Sequence, residues 1–295
     1  MKCKPERFMM SPAAVYDQGT EDFNMRRKYL TEIFPFLTPL RLKQRKLFWF
    51  AAMRLDGNRY AKEMSRTELP YETFRYTCTM INRQAAGDLK YQYNKAHNLK
   101  LASRKISGLL IHPGESFSLC LAIKDADKQE PYKEALIVIN DQLKTAKGGG
   151  LCQLSNMLYW VFLNSELTVT ERHPHRIMDF PDPTMQIRGT DATIASGWLD
   201  LKVKNTTAFT YQIITEFAGD DMTVILKSDD PVKHAYVFRN DNTVYERRDG
   251  HIYEDTDVLR CDVLTGKERR LYRNHTEIGY PLPAGTVIRE GGTDR

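Results

Sequence analysis

The 295-residue sequence has no run of the roughly 18 to 20 consecutive apolar residues that a membrane-spanning helix needs. Its opening residues, MKCKPERFMMSPAAVYDQGTEDF, lack the apolar core of a secretory leader. Cysteine is scarce and odd in number: Cys3, Cys78, Cys120, Cys152 and Cys261 are scattered, with no CxxC pair. A disulfide framework is therefore not expected, and a reducing, cytoplasmic setting is. Acid is missing from one region: Arg26 to Arg54 holds eight basic residues against the single acid Glu32, a local charge of +7 in a chain of +5 overall. No nucleic-acid-binding motif accompanies that charge, so a nucleic-acid partner is not expected. No cofactor is expected either.

What is present divides the chain. Residues 1–24 are polar and aperiodic and read as a disordered extension, with Met25 a second candidate start. Residues 25–70 form a basic helical segment. In it Pro35 and Pro39 set off a helix over about 40–55, with Leu40, Leu47, Phe48, Ala51 and Leu55 near one face. Such a helix either packs on its own domain or lies on an anionic membrane surface, a peripheral contact at the inner face. A core domain is expected over 71–228, a β-rich extension over 229–285 and a tail over 286–295. Residues 56–90 read as helix and linker, YNKAHNLKLAS as helix, EALIVIND as a buried strand, and WLDLKVKNTTAFTYQIITEF as strands around an Asn205–Thr207 turn. Strands continue to about 277, with a hairpin turn at Thr265-Gly266. Helices first and many strands later predict an α+β fold, in which a central buried helix packs on a mostly antiparallel sheet.

That central helix begins in KGGGLCQLSNMLYW, Lys147 to Trp160. Beyond Gln153, Ser155 and Asn156 it is apolar on every side, the mark of a buried helix. Its polar end must then reach a cleft or hydrogen-bonding partners. Cys152 stands there, where the helix macrodipole and unpaired N–H groups favour thiolate. Gly148, Gly149 and Gly150 allow positive φ or a close approach, and N–H groups beside the sulfur would face an oxyanion. The plainer alternative makes Cys152 a small buried hydrophobe behind a tight turn.

Two later stretches supply partners. In TERHPHRIM, His173 and His175 point to one face if extended, and in RGTDATI Asp191 follows a Gly-Thr turn. A helix-borne thiol followed by strand-borne His and Asp suits a nucleophile, its general base and an orienting carboxylate. In this scheme Cys152 is the nucleophile, His173 the base and Asp191 the orienter. Gly149, Gly150, Gln153, Ser155 and His175 are placed near substrate or oxyanion, and the roles of His173 and His175 exchange if His175 is nearer the sulfur. A zinc site of Cys152, His173 and His175 is the metal alternative.

Taken together, GGGLCQLSNMLY, ERHPH, GTDAT, HNLKLAS and HPGESFS resemble the VanW family, named for an accessory gene of vancomycin-resistance clusters; the similarity runs from about Met25 through at least Phe217. The resemblance implies a link to the cell envelope, because longer members carry a membrane anchor and peptidoglycan-associated modules. It maps the family motif onto Gly148, Gly149, Gly150, Cys152, Gln153, His173, His175 and Asp191. The expectation is a cysteine-dependent amide or peptide hydrolase or transferase, papain-like or transglutaminase-like in chain order and site logic only. Its substrate would be a small peptide or cell-wall precursor. The rival is a non-catalytic module that binds an anionic ligand at the glycine turn.

Overall fold

The computed structural model describes residues 34–83, 88–139, 142–178, 187–231 and 233–291. The expected extension over 1–24, the Met25 start and Cys3 lie outside them. The chain divides at Leu42 into two units. Of the first, the description covers a 3-10 turn (Pro35–Leu37) and the opening of helix α1 (Thr38–Ala52). The second, from Lys43, holds the rest of α1 and every later element.

Three sheets and a ribbon carry the fold. Strands β1 (Arg59–Tyr60) and β2 (Tyr71–Thr79) precede helix α2 (Leu89–Ser103). Next come β3 (Leu109–Ile111), β4 (Glu115–Ser118), the short α3 (Leu119–Ala122), β5 (Glu134–Ile139), β6 (Gln142–Lys147) and helix α4 (Cys152–Leu163). Strands β7 (Thr168–Glu171), β8 (Ile177–Met178), β9 (Lys202–Lys204), β10 (Tyr211–Ala218) and β11 (Asp221–Ser228) follow. The chain then makes β12 (Tyr236–Arg248), β13 (His251–Asp262), β14 (Glu268–Ile278) and β15 (Ile288–Glu290). One sheet runs β1-β4-β9-β7, a second β2-β11-β10-β3, and a third β15-β12-β13-β14-β8, while β5 and β6 pair alone. The second sheet is antiparallel throughout, and the third takes β15 and β8 as parallel edges. The class is α+β with few helices and several sheets, as the order of elements predicts.

Helix α4 is the hub. Leu154, Met157, Leu158, Val161 and Phe162 are at most 1% exposed, so the helix is enclosed on every side, as its composition requires. It packs against β2 and β11 of the second sheet. Phe162 meets Phe117 of β4 edge-on at 5.5 Å, and Trp160 meets Phe238 of β12 at 4.9 Å. Each such fully buried aliphatic or aromatic side chain contributes about 1.5–3 kcal/mol by leaving water. One helix thus ties all three sheets together, and its N-terminus is held in one place.

The structure differs from the sequence reading in three ways that bear on the site. Residues 56–90 hold β1 and β2, not helix and linker, and YETFRYTCT half-buries Phe74, Tyr76 and Cys78 at every second position, which is strand periodicity. The Asn205–Thr207 turn is not a hairpin. β9 and β10 lie in different sheets, and fully buried Asn205 bridges the crossing by donating to the carbonyls of Ile111 and Phe209, 2.8 Å each. The stretch read as a tail carries β15, paired with β12. The Thr265-Gly266 hairpin is present, with Gly266 at φ +67°.

Candidate active site

The turn before α4 is shaped by close approach. A Cβ on Gly149 would overlap the Ala135 carbonyl of β5, and Gly150 has φ +87° with the Lys95 stem lying across it. Buried Asn98 of α2 stitches the turn down, donating to the carbonyls of Lys133 at 2.9 Å and Gly149 at 3.0 Å and accepting from Lys133 N–H at 2.8 Å. Helix α4 begins without a side-chain cap, and in its first turn the Gln153 N–H donates to Gly150 O at 3.1 Å and the Ser155 N–H to Leu151 O at 3.2 Å. Half-buried Cys152 opens the helix.

The loop from Arg172 to His175 and the loop from Gly189 to Ile194 converge on that sulfur. His175 hydrogen bonds the Cys152 sulfur. Its Nδ1 lies 2.6 Å from Oδ2 of Asp191, which leaves Nε2 for the sulfur. Thr193 Oγ1 is 3.4 Å from the sulfur, and the Ile194 N–H also points at it. Asp191 is 1% exposed and saturated: Oδ2 also accepts the His175 N–H at 2.5 Å, and Oδ1 accepts from Arg172 Nη2 at 2.8 Å.

Charge follows from these contacts. Burial alone would raise the Cys152 thiol, but the His175 ring and its charge, Thr193 and the Ile194 N–H together bring it below its ordinary value. Burial likewise works against the His175 cation, yet Asp191 and Cys152 raise it to about 10. Burial would raise Asp191 too, and His175 and Arg172 hold it below the usual carboxylate range. The three shifts have one direction in common, each favouring the charged form: thiolate, imidazolium and carboxylate. Cys120 is the internal control: burial and the Asp200 carboxylate both raise its thiol, Lys202 offsets little of this, and it is pushed far up.

Of the residues singled out in the sequence, the structure brings Cys152, His175 and Asp191 together. His173 turns away, with Nε2 3.0 Å from Glu171 Oε1, so His175 and not His173 is the histidine beside the sulfur. Both His175 and Asp191 stand on loops, not strands. Because of these placements Cys152, His173 and His175 do not converge as metal ligands, and no cluster fit for a metal occurs among the described residues. Gly149 N–H is spent on Ala146 O at 3.1 Å. Gln153 clamps α4 to the end of β2, its Nε2 donating to Thr79 O at 2.7 Å and Cys78 Sγ at 3.4 Å. Ser155 is fully buried, with no hydrogen-bond partner among the described residues, and does not reach the surface.

Several supporting residues escape sequence reasoning. Arg172 donates to Asp191 through the carboxylate and through its carbonyl at 2.7 Å, and also to Gly189 O at 2.7 Å and Asn274 Oδ1 at 3.2 Å. Its guanidinium lies 4.9 Å from the Tyr272 ring and 5.5 Å from that of Tyr159. Tyr159 OH donates to Tyr272 OH at 2.7 Å, and Tyr272 OH to Gly189 O at 2.9 Å. The third sheet thus carries the scaffold of the His175 and Asp191 loops. Arg172 sits inside ERHPH, where a base beside two histidines was the only local hint; Tyr272 and Asn274, about a hundred residues later, left none.

The comparisons with known proteins agree with one another. The family model described as VanW like protein matches residues 94–226. The chain is 43% identical over 272 residues to the vancomycin B-type resistance protein VanW of Enterococcus faecalis (strain ATCC 700802 / V583), covering 90% of this chain and 99% of that one. It is 27% identical over 158 residues to the uncharacterized protein YoaR of Bacillus subtilis (strain 168), about half of each. No solved structure matches, so the papain-like or transglutaminase-like arrangement has no structural neighbour behind it. Identity at that level over nearly the full length of both chains establishes that this protein belongs to the VanW family.

Proposed function

We propose that the chain is a cysteine-dependent amide or peptide hydrolase or transferase linked to cell-envelope metabolism. The observation that carries this reading is the hydrogen-bonded series Cys152–His175–Asp191 at the uncapped start of α4. In the proposed reaction the Cys152 thiolate attacks an amide carbonyl carbon, and the negative oxygen settles against backbone N–H groups at the helix start. His175 then gives its proton to the departing amine as the C–N bond breaks, which leaves an acyl thioester on Cys152. Water or an amine attacks the thioester while His175 takes up the proton, and the thiolate leaves. Asp191 holds Nδ1 throughout, fixing the ring so that Nε2 faces sulfur.

The name of the Enterococcus faecalis relative links this reading to vancomycin resistance and so to a peptidoglycan precursor or related small peptide as substrate. A cytoplasmic site is part of the same proposal. No helix among the described residues is long and apolar enough to cross a membrane. The experiment is to incubate purified protein with synthetic precursor peptides and follow amide cleavage or exchange by mass spectrometry. Cys152→Ser is expected to abolish turnover and His175→Ala to reduce it at least 100-fold, at the low end of what general acid–base catalysis supplies.

One observation favours a second reading, a binding module for an anionic ligand. Half-buried Lys95 lies over Gly150, burial lowers its ammonium from the ordinary lysine value, and it forms no salt bridge with a carboxylate among the described residues. In that case Cys152→Ser would retain affinity and any resistance phenotype.

A further inference from the structure

Helix α1 has no buried residue. From Lys43 onward its two sides are nevertheless distinct. Trp49 and Phe50 are half-buried and Met53 is 5% exposed, so this side faces the body. Lys202 places its ammonium 5.5 Å from the Trp49 ring and 2.8 Å from Glu171, the carboxylate that holds His173. On the other side, at helical spacing, stand Leu47, Ala51 and, in the following turn, Leu55, with Phe48 beside them. Leu47 is 69%, Phe48 63% and Leu55 87% exposed.

Large apolar side chains aligned on the outside of a helix need a partner. Charge decides which kind: Lys43 and Arg54 flank the stripe, Arg45 lies over Trp198 beside it, and no acid occurs between Glu32 and Asp56. Two copies of so uniformly basic a surface would repel each other, whereas an anionic lipid surface meets both the cations and the apolar stripe. Nearby Trp198 is 63% exposed, with the Arg45 guanidinium 5.2 Å from its ring, an amphipathic pair suited to the headgroup layer. We propose that the outward face of α1, Leu47, Phe48, Ala51 and Leu55 with Lys43 and Arg54, docks the protein on an anionic phospholipid bilayer. The docking is peripheral and reversible, and because the inner side of the helix contacts the Lys202–Glu171–His173 wall it sets that wall close to the membrane.

The test is co-sedimentation of the full chain with vesicles of phosphatidylcholine alone or with 30 mol% phosphatidylglycerol. Anionic vesicles are expected to bind at least 10-fold more protein, and 0.5 M NaCl to remove most of that gain. Leu47→Glu with Phe48→Glu is expected to abolish binding while leaving the thermal melt unchanged, since both side chains are exposed. Cys152→Ser is expected to bind vesicles as the unaltered chain does, which separates this proposal from the catalytic one. Equal binding to both vesicle types, or none, overturns the proposal. So does a dimer, seen by sedimentation velocity, that the double substitution dissolves, or lipid binding that appears only after residues 1–33 are removed, which would make those residues the occupant.

Discussion

Replacing Arg172 with methionine tests whether the buried carboxylate governs the site. The Asp191 side chain is 2% and that of Arg172 10% exposed, so the pair is nearly water-free, and Nη2–Oδ1 is 2.8 Å. Methionine keeps much of the stem's volume but removes the charge and all the donors. Asp191 would retain His175, but one buried carboxylate oxygen and the Asp191 carbonyl would lose their donor, and the Gly189 carbonyl would keep only Tyr272. Breaking one side of a buried ion pair costs about 3–5 kcal/mol. In a domain of this size that is on the order of 8–15 °C in melting temperature. The assay is a calorimetric or urea melt at pH 7, with Asp191→Asn and the double variant beside it. Because both changes remove the same charge pair, the double variant should fall well short of the summed single losses, a coupling of at least about 1 kcal/mol. A loss under about 1 kcal/mol for Arg172→Met, or strict additivity, would refute the reasoning.

Other outcomes follow from the same geometry. Gly149→Ala should be the more damaging glycine change, because its Cβ meets the Ala135 backbone, which cannot yield. Gly150→Ala meets only the pliable Lys95 stem and should cost about 1–2 kcal/mol for its positive φ, the two ranked by denaturant midpoint. Tyr272→Phe removes the bond to Gly189 O and the acceptor for Tyr159, so a loss of about 1–2 kcal/mol is expected in the same melts. Stability should also respond to pH through His175. Its folded value, about 10, lies above the ordinary 6.5, so its contribution is complete below pH 6.5 and fades as pH rises toward 10. Melts of the unaltered chain and His175→Gln should therefore diverge most near pH 6 and converge near pH 10.

Much of the centre was legible because it depends on local chemistry. An all-apolar helix must be buried, three glycines must serve a constrained turn, and a cysteine at the helix start lies where thiolate is favoured. Asp191 was reachable for the same reason, through its Gly-Thr turn. The choice between His173 and His175 was not, since period-two alternation puts both on one face while the real segment is a loop around Pro174. There Asp191 grips the backbone and ring of His175 alone. β2 carries the period-two signal, Phe74, Tyr76 and Cys78 alternating with polar Arg75, Thr77 and Thr79, but the irregularity at Thr73, opposite the Leu226/Lys227 bulge, confines that signal to its second half. Tyr272 and Asn274 were invisible because their role exists only once the third sheet folds back onto α4.

Ionisation of Cys152 by His175 is measured directly by alkylation with iodoacetamide across pH 5 to 10, with peptides carrying Cys78, Cys120, Cys152 and Cys261 quantified separately by mass spectrometry. An ordinary thiol is about 3% thiolate at pH 7, so full ionisation raises the reactive fraction by at most about 30-fold, partly offset by weaker intrinsic nucleophilicity. Cys152 is expected to reach its plateau at lower pH than any of the other three. His173→Ala should leave that curve in place, and His175→Ala should move it upward past the ordinary thiol range. A Cys152 profile that is unchanged by His175→Ala, or that matches Cys120, would contradict ionisation by His175.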